Sequence, residues 1–266
     1  MQDYFIHCTY DKKVNINSFK LHSHEDMYEI MLLLSVDAEY ISEGSVYPID
    51  NNDIVIARPD EMHRIHHLSE SEYGRICIQI PKRFFKEYKC ECYEDFFKIY
   101  DYGTYNKISS AWVMDSGIYD IFMKIRDYSE DYKKIYTPAV AGCILEILHI
   151  LNHNEDIFDI SGQTNLVRNV ISYINNNLGS KISLDTLAEK HFISKYYLCR
   201  IFKSKTGYTL TGYINHKRII RVKELCKKGT NISRAAIESG FGNYSAFYKA
   251  YLKENGETPK NILNNW

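Results

Sequence analysis

Hydrophobic and polar positions change their period part-way along the chain. Between residues 20 and 80 the apolar residues come in short blocks: Tyr28–Leu34, Asp53-Ile54-Val55-Ile56-Ala57 and Gly74-Arg75-Ile76-Cys77-Ile78-Gln79-Ile80. Turn formers divide them, namely Glu43-Gly44-Ser45, Asp50-Asn51-Asn52-Asp53 and Arg58-Pro59-Asp60. Short strands punctuated in this way predict an antiparallel sandwich or barrel. From Ser116 onward the spacing becomes three and four. Ile118, Ile121, Phe122 and Ile125 form one stripe, and Val140, Ile144, Ile147, Leu148 and Leu151 another, so helices are predicted there. Asn152–Gly162 is polar and broken, which marks a linker.

The C-terminal part is helical in pattern and repeats itself. Ala188 aligns with Ala236 at an offset of 48, while Leu198, Arg200 and Gly207 align with Phe247, Lys249 and Gly256 at 49. One residue inserted in the second turn accounts for the difference. Each copy has a short helix with a small alanine, a tight turn, and a longer helix with a polar N-cap (Ser194, Asn243) and a terminal glycine. This is the outline of a helix-turn-helix, present twice. The alanine lets the two helices cross closely, and Gly240 supplies a positive φ in the second turn. Tyr213–Cys226 reads as a long helix joining the two copies.

Composition then sets limits. A chain of 266 residues, 45% apolar and 25% charged, is too apolar for disorder and too evenly mixed for a fibre. One core is near its ceiling at this length, so two domains are expected, 1–160 and 161–266. No apolar run reaches the roughly 18 residues of a membrane helix. Met1-Gln2-Asp3-Tyr4-Phe5-Ile6-His7 lacks the regions of an export signal, and seven scattered cysteines read as reduced thiols. A cytoplasmic protein is expected. The net charge of −1 hides an asymmetry: residues 1–160 carry 16 basic against 28 acidic side chains (−12), and residues 161–266 carry 17 against 6 (+11). That points to a polyanion at the C-terminal end only, with duplex DNA the partner a helix-turn-helix implies.

A second helix reads bases when one face packs inward and the other is polar or aromatic near its N-terminus. In Ser194–Thr206 the packed face is Leu198, Ile201 and Phe202, which leaves Lys195, Tyr196, Cys199, Arg200 and Lys203 outward. Arg200 has the fork that suits O6 and N7 of a guanine. In Asn243–Asn255, Phe247, Ala250 and Tyr251 pack, and Tyr244, Ser245, Tyr248 and Lys249 face out. Tyr196, Cys199, Arg200, Tyr244, Ser245, Tyr248 and Lys249 are therefore the candidate base contacts. Lys181, Lys195, Lys203, Lys205 and Lys217, with Arg221, Lys227 and Lys228, are the candidate phosphate contacts.

These residues resemble a family. Residues 165–266 are similar to the DNA-binding region of AraC-type (arabinose-regulator-like) transcription factors. The first unit matches through Ile182-Ser183-Leu184-Asp185-Thr186-Leu187-Ala188, Ser194-Lys195-Tyr196-Tyr197-Leu198-Cys199-Arg200-Ile201-Phe202-Lys203 and Gly207. Arg218 falls where the family's linking helix carries arginine, and Gly240-Phe241, Ser245, Phe247, Gly256 and Thr258-Pro259 match the second unit. The chain departs from the pattern at Lys249 (usually Arg), Tyr251 (Phe), Leu252 (Lys) and Ile262-Leu263 (Tyr-Arg). The second helix is accordingly expected to read fewer bases. The resemblance implies two reading helices in successive major-groove segments, a transcription regulator, contact with RNA polymerase, activation and a homodimer.

The acidic half, over residues 18–85, resembles the small cupin barrel that many such regulators carry in front. The full expectation is an α+β protein: an N-terminal antiparallel β-barrel with helices, then an all-α domain of two helix-turn-helix units and a linking helix. His22-Ser23-His24, Glu29, Pro59 and His63 resemble the cupin metal motif, without its glycines. Three imidazoles and a carboxylate suit a divalent metal. Two readings stay open for His22, His24, Glu29 and His63: a polar lining for a small-molecule effector, or a metal site, no cofactor being required. His66 and His67 read as a solvated strand edge. The stripe Val140, Ile144, Ile147 and Leu151 reads as core or as a dimer interface. No nucleophile motif or Gly-rich phosphate loop is present, so no enzyme activity is expected. The rivals are a metal-dependent cupin enzyme with a DNA-binding tail, and a nucleoid-type binder without sequence preference.

Overall fold

A computed structural model of the chain describes residues 4–15, 21–131, 138–153 and 166–262. The chain forms two compact units, Met1–Gln163 and Thr164–Trp266. The first contains strands β1 (Phe5–Asp11), β2 (Met27–Ser35), β3 (Ala38–Ser42), β4 (Ser45–Ile49), β5 (Ile54–Ala57), β6 (His63–His67), β7 (Tyr73–Pro81) and β8 (Lys107–Ile108). Its helices are α1 (Lys82–Glu87), α2 (Glu91–Lys98), α3 (Ser110–Asp115), α4 (Ile118–Asp131) and α5 (Pro138–Asn152). All strand pairs are antiparallel, in a five-stranded sheet β1-β7-β2-β5-β8 and a three-stranded sheet β4-β3-β6. No ladder among the described residues joins the two sheets into a closed barrel.

The compact apolar run Tyr28–Leu34 follows from burial on both sides of the five-stranded sheet. Successive side chains point to opposite faces. Ile30, Leu32, Ile54, Ile56, Ile76, Ile78 and Ile80 pack with Phe84, Phe85, Phe97, Phe122, Ile144 and Leu148 of the helices. Met31, Leu33, Val55 and Cys77 pack with Tyr40, Tyr47 and Ile65 of the smaller sheet. β3 and β4 close through Glu43 and Gly44, both at positive φ (44° and 78°), as a right-twisted two-residue hairpin demands. Glu43 serves there because its Oε1 accepts the Met62 N–H at 2.9 Å.

A buried polar knot holds the segment before β8. Glu61, with no exposure, accepts hydrogen bonds from Ser42 Oγ (2.9 Å), the Arg58 N–H (2.8 Å), the Gly103 N–H (2.7 Å) and Asn106 Nδ2 (2.9 Å). Arg58 pairs with it at 3.2 Å and donates to the carbonyls of Asp101 and Thr104. Val140, Ile144, Ile147 and Leu151 of α5 are buried against this unit's own core, so the dimer reading of that stripe is corrected. The expected linker, beyond His153, lies outside the described residues, as does Leu263.

The second unit is helical: α6 (Leu166–Asn176), α7 (Leu184–Lys190), α8 (Lys195–Thr206), α9 (Leu210–Lys227), α10 (Ile232–Glu238), α11 (Tyr244–Asn255) and a final 3-10 turn at Pro259–Ile262. The joining helix begins three residues before the expected Tyr213 because Thr209 caps it, its hydroxyl accepting the Gly212 N–H.

Candidate functional site

The duplicated hook repeats the caps of its second helix and the bonds that close its turn. Ser194 accepts the Tyr197 N–H ahead of α8, and Asn243 accepts the Ala246 N–H ahead of α11. Both helices end on a left-handed glycine, Gly207 (φ 79°) and Gly256 (φ 72°), which donates to Lys203 and Leu252 respectively. The turns match as well. After α7, Phe192 and Ile193 donate to the carbonyls of Glu189 and Ala188; after α10, Gly240 and Phe241 donate to those of Ile237 and Ala236. Ala188 and Ala236 are buried at the crossings.

α9 is the common bracket. Its Tyr213 ring lies 5.5 Å from Phe202 of α8, and its Ile219 and Val222 share a core with Ala235, Ala236, Phe241, Phe247 and Tyr251. Arg218 Nε donates to the Leu178 carbonyl at 3.0 Å and an NH2 to the Ser180 carbonyl at 2.8 Å. Gly240 abuts the same place: a Cβ on it would stand 2.0 Å from the Leu178 oxygen and 2.8 Å from Arg218 Nε. Burial pulls the Arg218 guanidinium below its ordinary pKa.

On α8, Leu198 and Phe202 are buried and Ile201 half-buried, while Lys195, Tyr196, Arg200 and Lys203 are exposed and Cys199 half-buried. On α11, Phe247 and Tyr251 are buried, Tyr244, Ser245 and Lys249 exposed, and Tyr248 half-buried. A hollow of about 300 Å³ beside α8 is lined by Tyr196, Cys199, Arg200 and Lys203, together with Leu184 and the Thr209–Thr211 start of α9. The Arg200 guanidinium lies 5.6 Å from the centre of the Tyr197 ring. Lys181 and Lys205 are exposed, and Lys195 makes a 2.9 Å surface pair with Asp185. Such a pair holds its lysine weakly. Lys217 is a correction. It is 5% exposed with its ammonium 5.8 Å from the Tyr213 ring centre, because α9 is enclosed over much of its girth and that face turns inward.

In the first unit the four candidate donors converge. His22 is a single bridge residue against His63 and His24 lies outside any strand, so the pair does not sit on a regular strand. Their nitrogens and that of His63 nevertheless lie within 4.8 Å of one another. Glu29 Oε2 is 3.2 Å from His24 Nε2, and Oε1 is 3.7 Å from His63 Nε2. Both nitrogens are buried, and Glu29 is the carboxylate that faces them. His63 Nδ1 sits 2.9 Å from the Glu61 carbonyl, an acceptor, so this nitrogen carries a proton and Nε2 turns toward Glu29. Gln79, which sequence reasoning missed, donates to Glu29 at 2.8 Å; it stands opposite Glu29 in the β2–β7 register, a pairing no local signal announces.

Burial by itself raises the Glu29 carboxyl, but the facing His24 and His63 imidazoles and the Gln79 amide outweigh it and hold the group well below the carboxylate range. Burial lowers His63, and Glu29 more than restores it, leaving it raised. His66 is half-exposed beside Glu39, but His67 is buried with its ring edge-on to Tyr73 (4.7 Å), so the solvated-edge reading of His67 is corrected. It alternates onto the inner face of β6 with His63 and Ile65.

Two capped helix pairs on a shared helix define a double helix-turn-helix DNA-binding protein. A helix-turn-helix domain family matches residues 187–265. The chain is 31% identical over 104 residues to the probable transcription factor PqrA of Proteus vulgaris, covering 38% of this chain and 85% of that one. It is 18% identical over 244 residues to the transcriptional activator RhaS of Citrobacter koseri, covering 90% and 86%. ToxT of Vibrio cholerae aligns over 99% of this chain and 98% of its own at 14% identity, with a TM-score of 0.41. The chain belongs to the AraC-type transcription regulators, and its relatives are regulators of transcription. No helix among the described residues is long and apolar enough to cross a membrane.

Proposed function

We propose that this regulator reads a specific duplex with α8 and α11 in successive major-groove segments about 34 Å apart. Tyr196, Cys199 and Arg200 contact bases from α8, with Tyr244, Ser245, Tyr248 and Lys249 contributing from α11. Lys181, Lys195, Lys203 and Lys205 hold phosphates. The observation that carries this is the repeated hook itself: the same caps, turn and packed face occur twice in a unit of +11 charge, with polar and aromatic side chains outward each time. Arg200→Ala is expected to lose about 1–3 kcal/mol at one base position and relax the preference there. Lys203→Ala should weaken all sequences alike and lower the salt slope by about one. Titration against a randomised site at several salt concentrations checks both, and identical behaviour of the two variants would sink the assignment.

The first unit, in the place of the cupin-like barrel, is the sensor for a small-molecule effector. Effector binding biases how a pair of chains engages paired half-sites, and the outcome is activation through RNA polymerase in the cytoplasm. No reaction is assigned to it. The polar end between its sheets fits a divalent transition metal: three imidazole nitrogens lie within 4.8 Å of one another, Glu29 faces two of them, and the Glu61 carbonyl and Gln79 orient His63 and Glu29 from behind. His22, His24, His63 and Glu29 would hold the ion, which would supply a positive centre for an oxygen atom of the effector. Elemental analysis of purified protein is expected to find close to one zinc, iron, manganese or nickel per chain, and His63→Ala to lose it. Protein free of metal after purification without chelator, and unable to take up zinc on dialysis, overturns the metal assignment and leaves the cluster as a polar lining.

A further inference from the structure

The two turns of the duplicated hook share their backbone bonds but not their residue at the left-handed position. In the second turn it is Gly240 (φ 94°), which crowding against Leu178 makes obligatory. In the first it is Phe192 (φ 55°). A left-handed φ is uncommon for any residue with a Cβ and an outlier for a bulky one. The left-handed backbone closes α7 onto the Glu189 and Ala188 carbonyls, a task glycine performs without a Cβ, and the Phe192 side chain, 96% exposed, adds no packing in return. The residue after it, Ile193, takes the role of Phe241 in the matching turn, so Phe192 is not the packing residue of its hook. A strained backbone and a large apolar side chain in water both oppose stability here, and strain of this kind concentrates where a chain binds something.

We propose that Phe192 is a further DNA-contacting residue, an aromatic knob that packs against the sugar edge or a thymine methyl beside the stretch read by α8. This rests on the reading of α8 as a base-contacting helix. Duplex DNA is the occupant because the knob adjoins the start of that helix in the chain: Phe192 lies two residues before the N-cap Ser194 and four before Tyr196, itself 77% exposed. Its chemistry suits the task, since apolar side chains recognise the thymine methyl and aromatic ones stack on nucleotides.

Phe192→Gly separates binding from folding, because the two effects have opposite signs. Thermal unfolding of the full chain is expected to shift up by a few degrees as the strain is relieved. Affinity for a duplex selected from a randomised pool by the unsubstituted protein should fall about tenfold. The salt slope should stay unchanged, since no charge is removed. Phe192→Tyr should restore affinity. A variant that is stabilised but binds the duplex as before overturns the proposal, even if transcription falls, since the knob would then face a protein. A destabilised variant overturns it too, because the ring would be packing residue. Loss of the α8 reading would register separately, as an Arg200→Ala variant with undiminished binding.

Discussion

Gly240→Ala is expected to cost the second unit about 3–5 kcal/mol and, with it, specific DNA binding. The added methyl would meet the Leu178 carbonyl oxygen at 2.0 Å and the Arg218 guanidinium at 2.8 Å, on a backbone at φ 94°. Neither obstacle gives way cheaply. The carbonyl belongs to the chain between α6 and α7, and Arg218 is held by two carbonyl acceptors. Gly256→Ala is the natural control. Its φ is also left-handed (72°), but nothing stands within 4 Å of the new methyl, so only the backbone term of about 1 kcal/mol applies. Calorimetry on both variants tests the point: equal losses would show that crowding at Leu178 plays no part.

Glu61→Ala should be comparably severe in the first unit, at about 3–5 kcal/mol. The substitution strands four buried donors, from Ser42, Arg58, Gly103 and Asn106, and leaves a guanidinium that is 4% exposed without its carboxylate. Glu61→Gln keeps most of the shape but removes the charge facing Arg58, so a smaller loss is expected. Denaturant unfolding followed by near-ultraviolet circular dichroism distinguishes the two. An alanine variant as stable as the unsubstituted chain would mean that water replaces the knot at no cost. The same knot bears on the histidine cluster, because the Glu61 carbonyl orients His63.

Much of the second unit was legible from local signals. Caps, terminal glycines and apolar spacing each act within a turn or two of helix, so Ser194, Asn243, Gly207 and Gly256 could be assigned their places directly. Lys217 could not. Its helix carries buried residues round much of its surface, among them Leu210, Tyr213, Ile214, Ile219, Ile220 and Val222, and a lone lysine gives no sign of which side it occupies. In the first unit, β2, β5 and β7 stood out as apolar blocks. β1 did not, because Phe5–Asp11 is a strand only by virtue of β7, some seventy positions away, and its outer side chains are polar. The donor set His22, His24, Glu29 and His63 was visible as a spacing. The residues that orient it, Gln79 and Glu61, join it through sheet register and a long-range knot that leave no mark in a window of neighbours.

Arg218 and Gly240 have a consequence for the genome side of the interaction. Arg218 holds the chain that leads into the first hook, and Gly240 of the second turn abuts the same carbonyl, so on the proposed two-helix reading little adjustment of the angle between the hooks is expected. Adding a single base pair between the two contacted stretches rotates one relative to the other by about a tenth of a turn. The protein would have to let go of one stretch to keep the other. Binding sites for this chain should therefore drift in letters while keeping their phase, and a search for them should hold the spacer constant before it weighs any individual base.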